Sequence, residues 1–248
     1  MWWEPFTFQE GQWYLWRLGG AEIGIRRNGK TWQSFCRGIR WQDRDALCAG
    51  PVQEDPVGDV SLQTYVLSRK TAALKPFFQE KPFLLDIGKT KFFPGLKITL
   101  ELEIPPVLRL IAEKAENAGD TIFNFVPFAL KETWFGKNSM EGIFCSLLPL
   151  NNAAPCGIAV HCNMTIHNIA KKILELDKIP FHAARLSVYE KEEKLVSDAP
   201  VIDALENDFH MIVETAGNEY GTKLAQGKKN NPEHIYKRIR IIKNIAGF

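Results

Sequence analysis

The sequence predicts a mainly antiparallel, all-β protein of sandwich type. Three observations carry this. Glycine-containing turn dipeptides lie close together near the N-terminus. Residues 96–104 alternate strictly between apolar and polar side chains. From residue 121 to residue 214, short apolar segments recur between Asn, Gly, Asp or Pro, without long helical periodicity.

Residues 13–18 read as a strand, and Gly19-Gly20 suits a tight turn. Residues 21–27 return, and Asn28-Gly29 gives a type I′ signal before residues 31–36. Trp13, Leu15 and Arg17 share one side of the hairpin, and Tyr14, Trp16 and Leu18 the other. With apolar groups on both sides, one face is core and the other is expected to meet another sheet or a partner. Residues 41–60 are irregular, punctuated by Gly50-Pro51 and Asp55-Pro56-Val57-Gly58. The expected organisation is an N-terminal β-hairpin subdomain with its loop at 1–60 and a main sandwich domain at 61–248. A single domain is the alternative.

Strand character resumes at residues 61–68. In residues 96–104, Leu96, Ile98, Leu100, Leu102 and Ile104 face one way, and Lys97, Thr99, Glu101 and Glu103 the other. Pro105-Pro106 stops that strand, because proline donates nothing to a ladder. Further strands are expected at 107–112, 121–130, 142–148, 157–165, 171–176, 185–190, 195–204 and 209–214. Residues 232–246 read two ways. Asn231, Pro232 and Glu233 resemble a helix start, with Ile235, Ile239, Ile242 and Ala246 on one face; the isoleucine richness fits a last strand equally.

Composition narrows the function classes. Of 248 residues, 45% are apolar and 24% charged, an ordinary globular balance. A net charge of +2 makes the whole chain no magnet for nucleic acid. The exception is the tail, where Lys223, Lys228, Lys229, Lys237, Arg238, Arg240 and Lys243 face Glu233 alone; a solvated basic element is the expected reading. No apolar run approaches the roughly 18 residues needed to span a bilayer, and Met1-Trp2-Trp3-Glu4-Pro5 does not open a signal peptide. The expectation is a soluble, cytoplasmic protein. Its five cysteines, Cys36, Cys48, Cys145, Cys156 and Cys162, are then free thiols.

No phosphate loop, GxGxxG, HExxH or GxSxG is present, so no cofactor is expected and no catalytic residue is assigned. Cys156, His161, Cys162 and His167 are the densest metal-ligand types, spaced C-x4-H-C-x4-H. That is not a zinc-finger spacing, and a strand sends His161 and Cys162 to opposite faces, so no metal site is favoured. Glu101 and Glu103 read as a solvated pair. A Cys–His nucleophile built on Cys145 or Cys156 lacks a local activating group.

Trp134 carries two readings. One is a core tryptophan, with Gly136 permitting the turn into Lys137-Asn138-Ser139. The other is an aromatic ligand platform beside Lys131 and Glu132. Trp2, Trp3, Trp13, Trp16, Trp32 and Trp41 could stack on sugars or fill an interface.

Three stretches carry a resemblance. The first is Lys81-Pro82-Phe83-Leu84-Leu85 with Phe93-Pro94-Gly95. The second is Thr133-Trp134-Phe135-Gly136 with Gly142-Ile143-Phe144-Cys145. The third is Ile166-His167-Asn168 with Leu174-Glu175-Leu176 and Leu186-Ser187-Val188-Tyr189. Across about residues 81–204 the chain resembles an uncharacterised bacterial and archaeal family of unknown function. The resemblance implies no catalytic residue.

The expected function is a non-catalytic interaction module that binds itself or a protein partner. The alternative is an enzyme, or a small-molecule or carbohydrate binder, with a pocket near Trp134.

Overall fold

The computed structural model describes residues 3–18, 21–38, 51–112, 120–136, 142–150, 158–206, 208–214 and 220–228. The Gly19-Gly20 turn, Trp2, Trp41, Cys48, Cys156, Lys137-Asn138-Ser139 and the 232–246 segment lie outside the described residues. Among those described, the chain is all-β, with one 3-10 turn at Ala183–Arg185.

In chain order the strands begin with β1 (Phe6–Thr7), β2 (Trp13–Leu18), β3 (Ala21–Asn28), β4 (Thr31–Gly38), β5 (Gln63–Val66) and β6 (Thr71–Phe77). Then come β7 (Phe83–Phe92), β8 (Lys97–Ile104), β9 (Val107–Ala112), β10 (Asp120–Phe125), β11 (Glu132–Gly136) and β12 (Gly142–Pro149). They continue with β13 (Val160–Asn168), β14 (Leu174–Phe181), β15 (Val188–Lys191), β16 (Lys194–Ser197), β17 (Ala199–Ala204), β18 (Phe209–Glu214) and β19 (Thr222–Ala225).

The chain divides into two compact units that share it in alternation. One comprises Met1–Phe77, Pro105–Ala129 and Ala153–Ala159; the other comprises Phe78–Ile104, Leu130–Asn152 and Val160–Phe248. Residues 61–77 thus belong with the N-terminal strands.

The first unit holds two four-stranded antiparallel sheets, ordered β1-β6-β9-β10 and β2-β3-β4-β5. They face each other through aromatic rings. Phe8 meets Trp32 at 4.9 Å and Tyr14 at 4.9 Å between centroids, and Tyr65 meets Phe123 at 6.5 Å. Trp16 and Trp32 are fully buried there. Such flat side chains supply much of a small core's buried area.

The other face of β2 is also buried, and the chain itself covers it. Leu15 exchanges both backbone hydrogen bonds with Val52 at 2.9 Å, and Trp13, Leu15 and Phe35 pack against Val60. Gly24 makes this possible, because Phe35 lies flat across the place where a Cβ would stand. The rim is tied by Glu22, which is buried between Arg17 and Arg37, while Arg37 also donates to the Val57 carbonyl at 2.6 Å. Val60 thus packs on the hairpin face expected to meet a sheet or a partner.

The β3–β4 turn differs from its expected type. Asn28 pairs with Thr31, so the two turn residues are Gly29 and Lys30, and of these only Gly29 has positive φ, at 59°. That is a II′-type arrangement rather than the I′ turn read from Asn28-Gly29.

The second unit holds a sheet ordered β11-β12-β7-β14 and a seven-stranded sheet centred on β13. The second sheet mixes directions. β8 runs antiparallel along β13 from Ile104↔Val160 to Lys97↔His167. On the other side β16 and β17 run parallel to β13, at Val160–His161 and Thr165–Asn168 respectively. β8 shows the expected alternation from Lys97 onward: Lys97, Thr99, Glu101 and Glu103 are exposed, and burial deepens from Ile98 to Ile104, while Leu96 lies before the strand and is exposed. Strands β1, β6, β7, β11 and β19 extend the expected set, and the strand expected at 195–204 is two, β16 and β17.

Candidate functional site

Trp134 lies inside β11, and it is not a core residue: 38% of its surface is exposed. β11 pairs antiparallel with β12, placing Trp134 opposite Phe144 and Gly136 opposite Gly142. The two rings meet edge to face, with centroids 4.9 Å apart. A Cβ on Gly142 would come within 2.6 Å of the indole Cε2 of Trp134. The indole thus lies across the backbone of β12 at a place where a side chain has no room. This gives the tryptophan stretch and the following glycine stretch a joint physical reason.

Phe144 is 63% exposed, so the pair forms an apolar surface on an open face. Glu132, exposed at the start of β11, forms an ion pair with Lys81. Lys131 is exposed just before the strand, and its carbonyl accepts from the Leu147 amide at 2.8 Å. Trp134, Glu132 and Lys131 therefore share one short edge element. Among the described residues, β12 is the only strand paired with β11.

The metal-ligand types do not converge. His161 is exposed on β13 while Cys162 is buried on its other face. His167 is six residues further along and bonds Asp203 through Nδ1 at 3.1 Å. At about 3.3 Å per residue that places it roughly 20 Å from His161. Among the described residues no group of three such side chains could hold a metal ion.

The thiols are not poised for nucleophilic work. Burial pushes the Cys162 thiol up to about 12, and the Cys145 thiol up to about 11 against the opposing pull of Lys81. Burial, with Arg185 nearby, holds His182 down at about 4. Glu101 and Glu103 are exposed on β8, opposite Asn163 and His161 of β13.

An open cleft of about 460 Å³ lies elsewhere, lined by His161, Asn163, Lys191, Ser197, Ala199 and Tyr220 among others. It sits where β16 and β17 part company along β13. Beneath it Asp198 is buried, accepting from the Ser187 amide at 2.6 Å and the Tyr189 hydroxyl at 2.9 Å. Burial, together with the hydrogen bond to that carboxylate, raises the Tyr189 phenol. None of Trp134, Glu132 and Lys131 lines this cleft.

The first and third family-like stretches also meet. The Gly95 amide donates to the Asn168 carbonyl at 2.9 Å, and the Asn168 amide donates to the Leu96 carbonyl at 3.0 Å. A family model described as "Protein of unknown function (DUF432)" matches residues 2–242. The chain belongs to the DUF432 family. The match reaches beyond residues 81–204 and takes in the N-terminal strands, for which sequence reading had found no resemblance. Comparison with curated proteins and with solved structures gives no match.

Sequence reading missed Phe144 as the partner of Trp134, although it stands in a quoted stretch. It also missed Lys81 as the partner of Glu132. Residues 142–148 are apolar almost throughout, so no alternation in them singles out Phe144. Nothing local signalled the second, since the two residues are 51 positions apart.

Proposed function

We propose that this DUF432 chain is a non-catalytic binding module that docks a second copy of itself, or a strand of a protein partner, along β11. The observation that carries the reading is the exposed Trp134–Phe144 pair beside an edge strand. An edge strand presents backbone donors and acceptors to an incoming strand, and an adjacent aromatic pair supplies an apolar anchor. Lys131 and Glu132 stand at one end of β11, where they favour one register over its slipped neighbours. The reading places the module in the reducing cytoplasm, which suits the free thiols of Cys36, Cys145 and Cys162. Among the described residues no helix is long and apolar enough to cross a membrane.

Light scattering over a concentration series, paired with hydrogen exchange, tests it. The wild-type chain is expected to associate, with β11 amides slowing as it does, and the Trp134→Ala/Phe144→Ala variant is expected to stay monomeric. A wild-type chain that is monomeric at every concentration, and that yields no Trp134-dependent crosslink to a partner protein, removes the reading.

A further inference from the structure

β18 is the outermost strand on one side of the seven-stranded sheet, and among the described residues it pairs with β17 alone. Its register fixes which of its backbone groups look outward. Pro200 has no amide to give, and it stands opposite Val213. The Ala204 carbonyl, opposite Phe209, is taken by the Ile169 amide at 3.2 Å. These are therefore pairs that exchange no bonds across the ladder, and every second pair of an antiparallel ladder is of that kind. The amides and carbonyls of Phe209, Met211 and Val213 consequently face away from β17.

An added strand would bond those outward groups. Ile212, between two of them, is 50% exposed, so the strand also offers apolar surface. Two of the groups are already engaged by side chains. The Phe209 amide donates to Asp208 Oδ1 at 2.8 Å, and the Met211 carbonyl accepts from Arg185 Nη1 at 2.7 Å. The second bond stands at the middle of the edge. A guanidinium-to-carbonyl bond is charge-assisted, about twice as strong as the neutral bond that an incoming amide would put in its place.

Arg185 is mounted firmly for this contact. It ends the 3-10 turn Ala183–Arg185, and its amide donates to the His182 carbonyl at 3.1 Å. The Ala184 carbonyl accepts from the Lys228 amide at 2.8 Å, and Gly227 lies so close to the Arg185 carbonyl that a Cβ has no room there. From this turn the side chain reaches a strand 26 residues further along the chain.

We propose that Arg185 guards the β18 edge: its guanidinium occupies the carbonyl that an added strand has to bond, and so keeps a second copy of the chain from pairing there. The guard does not depend on the β11 reading, but it bears on which edge stays open. Phe135 of β11 and Phe209 of β18 have ring centroids 6.4 Å apart, so the two edges are neighbours.

The test uses the full-length chain carrying Trp134→Ala/Phe144→Ala, so that the β11 surface takes no part. Sedimentation over a concentration series and hydrogen exchange compare this parent with the same chain carrying Arg185→Ala. Arg185→Ala is expected to strengthen self-association about tenfold or more, with the Met211 and Val213 amides slowing as concentration rises. The Ile212 amide, which bonds β17, should stay protected in both, whereas a merely loosened strand would release it. If Arg185→Ala fails to fold, Arg185→Met, which keeps the apolar stem and loses the donors, decides. Association no stronger than the parent's overturns the proposal, as does association that leaves the Met211 and Val213 amides as fast as in the monomer. A wild-type chain that is monomeric removes the β11 reading and leaves this comparison intact.

Discussion

Cys145 on β12 and Cys162 on β13 are almost completely buried, and burial raises both thiols, to about 11 and about 12. A thiol raised on folding keeps a proton that the unfolded chain gives up near pH 9. Above that pH the unfolded chain binds fewer protons than the folded one, so stability falls as pH rises from about 9 towards 11 or 12. Tyr189, raised by burial and by its bond to Asp198, pulls in the same direction. Urea unfolding midpoints should therefore drop between pH 8 and about pH 10.5, and less steeply in Cys162→Ala. An equal drop in the variant would assign the alkaline loss to other groups. The same burial leaves little thiolate on either cysteine at pH 8.

Among single elements, the β15–β16 hairpin carries visible strain. Lys191 pairs with Lys194, leaving Glu192 and Glu193 as a two-residue turn with φ of 50° and 64°. Both are left-handed, as a type I′ turn requires, and glutamate lacks the tolerance of Asn and Gly for that region. Glu192→Asn/Glu193→Gly should raise unfolding stability by about 1–2 kcal/mol. An unchanged or lower midpoint would mean that the turn relaxes at no cost. Legibility also varied by element. β8 was readable because one face is wet along its whole length, so the period of two survives in the sequence. β7 was not, since Phe83, Leu84 and Leu85 are buried in succession and the strand then runs out to exposed Gly88 and Lys89. β6 hides behind small Ala72 and Ala73 and a proline at position 76. The exposure of Trp134 depends on what covers one face of an edge strand, which no local pattern records. The tie between the β13–β14 turn and the end of β7 depends on Asn168 reaching a carbonyl 76 residues away.

At the scale of the whole molecule, the order of the chain and the order of the structure disagree. Each unit is assembled from three stretches, and the chain crosses between them at residues 77–78, 104–105, 129–130, 152–153 and 159–160. Long-range pairing dominates, as β5 on β4 and β6 on β1 illustrate. A cut at residue 60, where the composition alone suggests a seam, would strip β5 of β4 and β6 of β1. It would also remove Phe8, Trp16 and Trp32 from the first unit's core while leaving β6, β9 and β10 with an uncovered apolar face. The hydrophobic term lost this way exceeds the margin by which domains are stable. A fragment of residues 61–248 should therefore lack a single cooperative thermal transition and should bind a hydrophobic dye, whereas the full chain melts cooperatively. A sharp transition in the fragment, with a dispersed amide spectrum, would show that residues 61–77 and 105–129 find another core without the N-terminal strands.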